Sequence, residues 1–202
     1  MAKKPTYHHG DLRNALLNTA LEVLEDEGFS GVTLRAIAAK AGVSHAAPAY
    51  HFPTLKALVT AMCTTGFERF EKSMANARAS APQDPRSQMQ AASDGYVAFA
   101  KAEPELFRLM FYNAAADWTN QAMCDASMKA RRQLTEICAP AAVHLGLRSD
   151  AQKEALEELV WSSTHGYAHL MNERRFSQMP DESPNVRMSI ADLIFGKSPI
   201  SD

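Results

Sequence analysis

Residues 33–58 read T-L-R-A-I-A-A-K-A-G-V-S-H-A-A-P-A-Y-H-F-P-T-L-K-A-L, and this stretch decides the fold. Thr33 is suited to cap a helix, because its hydroxyl can accept from the free N–H groups of a first turn. Apolar residues then recur at helical spacing until Gly42, a residue that ends helices in the left-handed conformation without steric cost. Ser44 is a second candidate cap. The stretch predicts two short helices joined by a turn, a helix-turn-helix motif over about 33–52.

The charge pattern around this motif is unusual for a chain whose net charge is −2. No Asp or Glu occurs between Glu27 and Glu68, whereas Arg35, Lys40 and Lys56 lie inside that gap. A polyanion favours such a surface, since each Lys or Arg that neutralises a phosphate releases counterions. The pattern indicates that the motif binds nucleic acid.

The rest of the chain predicts an all-α protein of about nine helices. Aliphatic and Met residues are frequent and glycine is scarce, and apolar residues recur at helical spacing. Four residues are predicted to cap further helices: Asp11, Thr54, Asp117 and Asp150. Ser183 and Pro184 are predicted to open the last one. Pro82 and Pro85 interrupt the pattern after a long helix over 54–80, which makes this the expected domain boundary.

Two motifs carry a resemblance to a known family. The block V-T-L-R-A-I-A-A-K-A-G-V-S, with Phe52-Pro53-Thr54 after it, resembles the DNA-binding domain of the tetracycline-repressor (TetR) family. Residues 160–168, V-W-S-S-T-H-G-Y-A, resemble the Trp-His-Gly motif of one branch of the family's C-terminal domains. The run S-H-A-A-P at 44–48 is similar to the same branch.

The resemblance implies that successive parts of the chain have different functions. Residues 1–53 would form a three-helix DNA-binding domain, 54–80 a connecting helix, and 81–202 a helical bundle for effector binding and dimerisation. Helices at about 151–175 and 183–196 would form the homodimer interface. A dimer is also what a palindromic operator requires, because one short recognition helix reads too few bases.

Ten residues are predicted to contact DNA. Thr33 and Arg35 would hold phosphate at a helix N-terminus, and small side chains after Ser44 would allow close approach to the groove. The full set is Thr33, Arg35, Ser44, His45, Ala46, Ala47, Tyr50, His51, Thr54 and Lys56. The family pattern usually has Tyr where this chain has Ala49, and Lys where it has Leu55. Tyr50 and Lys56 follow those positions and are expected to substitute.

An apolar or aromatic small-molecule effector is expected to bind in the C-terminal core. Apolar and aromatic side chains, together with one histidine, are the predicted lining: Met62, Tyr96, Phe99, Phe107, Met110, Phe111, Trp118, Trp161 and His165. The resemblance implies a repressor that the effector releases from its operator by moving the helix over 54–80.

Two other classes of function compete with this interpretation. His165, His169 and Glu173 share one helix face and could bind a metal, although a carboxylate-bridged site would also need an E-x-x-H motif, which the chain lacks. A helical adaptor that binds protein is the other alternative.

Motifs for an enzyme or a cofactor are missing, so neither enzymatic activity nor a cofactor is expected. Without a signal sequence, a long apolar run or paired cysteines, a cytoplasmic protein with no membrane segment is expected.

Overall fold

The structure, a computed structural model, describes residues 9–112, 114–173 and 189–196. This part of the chain contains helices and no strands, which confirms the predicted all-α fold. Nine α-helices lie within the described residues: α1 (His9–Glu27), α2 (Leu34–Lys40), α3 (Ala47–His51), α4 (Leu55–Ala79), α5 (Pro85–Ala102), α6 (Pro104–Tyr112), α7 (Gln121–His144), α8 (Asp150–Asn172) and α9 (Ile190–Phe195). A short 3₁₀ turn, Phe29–Gly31, follows α1.

Contacts divide the chain into two compact units. The first comprises the described residues of Met1–Phe67 and Glu105–Ala126, and the second those of Glu68–Pro104 and Ser127–Asp202. Helix α4 therefore contributes its first half to one unit and its second half to the other. Helix α6 belongs almost entirely to the first unit, together with the helix-turn-helix motif. The functional domain limits expected from the sequence, at 53/54 and 80/81, stay predictions.

The first unit is built on the apolar face of α1. Leu16, Ala20, Val23 and Leu24 are buried, as their helical spacing predicts. Helix α1 packs against α2 and α3, whose Ile37, Ala38 and Pro48 are buried, so it supports both helices of the motif. The aromatic ring of Phe52, which is 2 % exposed, lies 4.9 Å from the guanidinium carbon of Arg13.

The second unit is held by a core of α5, α7, α8 and α9. Met89, Ile137, Leu156 and Val160 are among its buried residues. Gly95 allows α5 to lie directly against α4, since a Cβ added there would fall 2.7 Å from the Cα of Met74.

Outside the helix-turn-helix motif, three predicted helix starts were wrong, by one to three residues. Helix α1 begins at His9, so Asp11 lies inside its first turn. At α7 the cap is Asn120, whose Oδ1 accepts from the N–H of Met123 at 3.2 Å. At α8 the cap is Ser149, which forms a reciprocal capping box with Gln152, and Asp150 becomes the first helical residue.

Parts of two predicted dimer helices lie outside the described residues. Residues 174–188, which include the predicted helix start at Ser183, are not described. Residues 1–8, 113 and 197–202 lie outside the described ranges as well. Within the described ranges, α8 ends at Asn172 and α9 begins after Ser189, which caps it through the N–H of Asp192. None of the described helices has the length and hydrophobicity that crossing a membrane requires.

The buried cysteines are core residues. Burial raises the pKa of both the Cys63 and the Cys138 thiol to about 12, the latter also through the carboxylate of Glu157. Thiolate is the reactive form, so both side chains are inert at neutral pH.

Candidate nucleic-acid interface

The first half of the motif forms as the sequence predicts. The Thr33 hydroxyl accepts from the N–H of Ala36 at 3.1 Å, and Thr33 itself is extended, with φ −132° and ψ 148°. Gly42 has a φ of +67°, where its lack of a Cβ avoids strain. The N–H of Val43 then bonds the carbonyl of Ala38 at 3.0 Å, which completes the capping motif at the end of α2.

The second half differs, because the recognition helix begins later than predicted. Ser44 does not cap it; instead the Ser44 carbonyl accepts from the N–H of Ala47 at 3.0 Å in a turn, and α3 starts at Ala47. Pro48 is the reason. In a helix capped by Ser44, Pro48 would lack the N–H that bonds the Ser44 carbonyl, and its ring would clash with that carbonyl. Starting at Ala47 places Pro48 in the first turn, where neither problem arises.

The ten predicted DNA-contact residues lie at the surface of the first unit. Ala47 and His51 are half-buried and the other eight are exposed. Tyr50 is 79 % exposed. Its ring and that of His51 form a T-shaped pair with centroids 5.2 Å apart. We refer to these ten residues together as the reading surface. Ala49 and Leu55, at the two positions that depart from the family pattern, are exposed as well.

A hydrogen bond from the backbone positions the last part of the reading surface. Thr54 accepts from the N–H of Ala57 at 3.1 Å and so caps α4, as predicted. The cap fixes the start of α4 immediately after the motif. Lys56 lies in the first turn of α4 and is 58 % exposed at its side chain.

The structure shows which of the three cations in the acid-free gap have acidic neighbours. The ammonium of Lys40 lies 2.8 Å from Asp26 and 3.8 Å from Glu22, and hydrogen bonding to Asp26 raises the pKa of Lys40. Lys56 lies 3.6 Å from Asp117. Among the described residues, Arg35 forms no salt bridge. The sequence does not reveal these acidic neighbours, because they lie outside the gap. Arg35 has no such neighbour among the described residues, so it is the cation of the gap that is best placed for phosphate.

The predicted effector residues fall into two clusters, one in each unit. Met62, Phe107, Met110, Phe111 and Trp118 belong to the first unit. There Phe67 joins them, with its ring centroid 5.8 Å from that of Phe111 and 6.0 Å from that of Trp118. Phe67 was not in the predicted lining.

Tyr96, Phe99, Trp161 and His165 belong to the second unit. The Tyr96 hydroxyl lies 2.6 Å from Nδ1 of His165, and the Trp161 and His165 ring centroids are 6.3 Å apart. Burial, and then the neighbouring His169, lower the pKa of His165, so its imidazole is neutral at neutral pH. This pair brings two polar groups into an otherwise apolar cluster, and the sequence pattern did not predict it.

The metal hypothesis receives no support from the side-chain geometry. Within the described residues, no three or more His, Cys, Asp or Glu side chains come together as ligands for a metal ion. His165, His169 and Glu173 are all described, and they do not form such a group.

Comparison with known proteins decides the family. The sequence model named "Bacterial regulatory proteins, tetR family" matches residues 16–62. The model named "Tetracyclin repressor-like, C-terminal domain" matches residues 89–193, which is just over half of the chain. The chain belongs to the TetR family. It is therefore a transcription regulator with a DNA-binding helix-turn-helix domain, and not an enzyme. The Trp-His-Gly branch stays a prediction from the motif.

Solved structures agree with this assignment. A protein of unknown function from Rhodococcus sp. RHA1 is 32 % identical, with 88 % of this chain and 91 % of that chain covered and a TM-score of 0.74. The TetR family transcriptional regulator PfmR from Thermus thermophilus shares the fold at 13 % identity, with 89 % and 92 % covered and a TM-score of 0.59. A regulatory protein in the TetR family from Rhodococcus RHA1 does so at 19 % identity, with 82 % and 93 % covered and a TM-score of 0.57. A search of curated protein sequences found no match.

Proposed function

We propose that this TetR family regulator is a cytoplasmic repressor that binds a palindromic operator as a homodimer through the reading surface. The observation that carries the proposal is the exposure of these residues around a motif that contains no acidic side chain. Thr33, which caps α2, is exposed, and the dipole of a helix favours phosphate at its N-terminus. Arg35 adds a guanidinium in the first turn of the same helix.

Within the reading surface, the residues differ in what they would contact. Ala46 and Ala47 precede α3 and start it, and their small side chains permit close approach to the base edges. Tyr50 and His51 extend from the same short helix and would contact bases or the sugar-phosphate backbone. Thr54 and Lys56 at the start of α4 would hold a further phosphate.

A homodimer through α8 and α9 is supported by an apolar face of α8. Leu159 and Leu170 are 54 % and 42 % exposed, and Gly166 lies between them on the same face. A Cβ added at Gly166 would meet no atom of the described chain within 4 Å, so packing within the protomer does not require glycine there. Glycine inside a helix costs about 1 kcal/mol relative to alanine. Close approach of a second copy would explain its use. Leu193 on α9 is 65 % exposed and would extend the interface.

We further propose an apolar or aromatic effector that releases the DNA. The cluster of Tyr96, Phe99, Trp161 and His165 supports this, because it combines aromatic surface with a hydrogen-bonded pair that could contact a polar group of the effector. The first unit's cluster, with Met62, Phe107, Met110, Phe111 and Trp118, remains the second candidate. Release requires that the effector binds one conformation of the protein more tightly than the other.

The DNA-binding proposal is tested by Arg35→Ala. Titration of a duplex that the wild-type protein has selected from random sequence should show weaker binding by the variant, at every sequence tested, and a salt dependence that is shallower by about one unit per arginine–phosphate contact. Arg132→Ala, an exposed arginine on α7, is the matched control and should bind as wild type. Equal affinity of Arg35→Ala and wild type would remove Arg35 from the interface.

A further inference from the structure

Three contacts close a ring between the start of α4 and the loop that follows α6. The Thr60 hydroxyl donates to the carbonyl of Lys56 at 2.7 Å and accepts from the N–H of Asp117 at 2.9 Å. The ammonium of Lys56 lies 3.6 Å from Oδ1 of Asp117. All three residues belong to the first unit. The ring places a carboxylate beside a cation of the reading surface, although the two are far apart in sequence.

The carboxylate oxygen that faces Lys56 is also held by Thr119. Oδ1 of Asp117 accepts from the hydroxyl of Thr119 at 2.7 Å and from its N–H at 3.2 Å. These hydrogen bonds, and then the charge of Lys56, hold the pKa of Asp117 below its usual value. Asp117 is therefore a fixed negative charge at neutral pH, whereas Lys56 carries its charge on a flexible four-carbon stem.

The pair is weak enough to exchange. The side chains of Lys56 and Asp117 are 58 % and 39 % exposed, and exposed ion pairs contribute little because water screens them. A flexible lysine can leave such a carboxylate for a phosphate of an approaching duplex. The same carboxylate would then remain close to that phosphate and oppose it.

We propose that Asp117 sets the operator affinity of this regulator by competing with phosphate for Lys56. The inference rests on the proposed function, in which Lys56 contacts the DNA backbone. The carboxylate lowers the affinity of the reading surface below what its cations alone would give. Because Asp117 is fixed through its own N–H to Thr60, the loop after α6 determines how strongly Lys56 is neutralised. A movement of this loop away from α4 would free Lys56 and strengthen binding.

Asp117→Asn tests the proposal without undoing the ring. The N–H that Thr60 accepts is retained, and the amide oxygen of Asn can still accept from Thr119, so only the charge is removed. Since an exposed ion pair shifts an equilibrium by about two-fold and a dimer holds two such pairs, we expect the variant to bind the selected duplex about four-fold more tightly. Its salt dependence should become steeper.

Two controls separate this effect from general electrostatics. Asp125→Asn, which removes an exposed carboxylate that Gln121 contacts in the same unit, should give a smaller gain. In a Lys56→Gln background, the gain from Asp117→Asn should be smaller than in the wild-type background, because no lysine remains for the carboxylate to neutralise and only its direct repulsion of phosphate is left. Equal gains for the two aspartate variants, no gain for Asp117→Asn, or an undiminished gain in the Lys56→Gln background would each overturn the proposal.

The proposed function fails in a different way. If the wild-type protein selects no duplex, both proposals are overturned together. If it does bind and Arg35→Ala weakens that binding while Asp117→Asn changes nothing, only the competition for Lys56 is overturned.

Discussion

Gly95→Ala tests the close packing of α5 on α4 in the second unit. A Cβ at residue 95 would lie 2.7 Å from Met74 Cα and 2.7 Å from the carbonyl oxygen of Ser73. Both are backbone atoms, so a rotamer change cannot relieve the overlap. The two helices would have to separate, and the hydrogen bond from the Ser73 hydroxyl to the carbonyl of Gly95, now 2.8 Å, would be strained or lost.

Three contributions set the expected change in the free energy of unfolding. Alanine inside a helix is more stable than glycine by about 1 kcal/mol. Overpacking against a fixed neighbour costs about 1–3 kcal/mol, and loss of the hydrogen bond costs about 1 kcal/mol more. The sum is a destabilisation of about 1–3 kcal/mol, which lowers Tm by about 2–12 °C in a chain of this length.

Urea and thermal unfolding, followed by circular dichroism, measure this change. Ser73→Ala is the matched control, because it removes the hydrogen bond and leaves the steric contact as it is. We expect it to lose about 1 kcal/mol, and less than Gly95→Ala. If Gly95→Ala proved as stable as wild type or more stable, the added methyl group would have met no close neighbour. The close approach of α4 and α5 would then be refuted.

Three further changes test other parts of the account. Thr33→Ala should lower the free energy of unfolding by about 1 kcal/mol through loss of the cap, whereas Thr33→Ser should retain it; equal urea midpoints for the two variants would contradict the cap. Gly166→Leu should weaken the dimer in sedimentation equilibrium, while Ala98→Leu, at an exposed site on α5, should not; a dimer unaffected by Gly166→Leu would place the interface elsewhere. His165 has a pKa below 6.5 in the folded state, chiefly through burial, so its contribution to stability is present above pH 6.5 and is lost as the pH falls from there toward the folded pKa. Urea unfolding at neutral and mildly acidic pH should therefore show a smaller loss for His165→Gln than for wild type, and equal losses would contradict the burial of the imidazole.

The parts of the fold that were predictable are those with local causes. Thr33 caps α2 and Gly42 ends it through bonds that span three to five residues, so the residue types and their spacing suffice to predict them. The start of α3 is equally local. The capping preference of serine predicts a start after Ser44, but the missing N–H and the ring of Pro48 move the start to Ala47.

The parts that were not predictable depend on tertiary contacts. Asp117 reads as a helix cap in the sequence, but the fold brings it to Lys56 and Thr60 and leaves capping to Asn120. The pairing of Tyr96 with His165 has the same origin, since nothing in the spacing of two distant helices specifies which side chains meet. The gap contains no Asp or Glu in the sequence. In the structure, Asp26 and Asp117 from other segments lie beside two of its lysines.

The most direct test of the central claim is selection of bound duplexes from a random DNA pool by the full-length protein. Two copies of the reading surface on one dimer predict enrichment of a two-fold symmetric sequence, with half-site centres about one helical turn of DNA, or a multiple of it, apart. At the same protein concentration, Arg35→Ala should recover less of the enriched duplex, whereas Arg132→Ala should recover as much as wild type. No enrichment by the wild-type protein, or an enriched sequence without two-fold symmetry, would contradict the account.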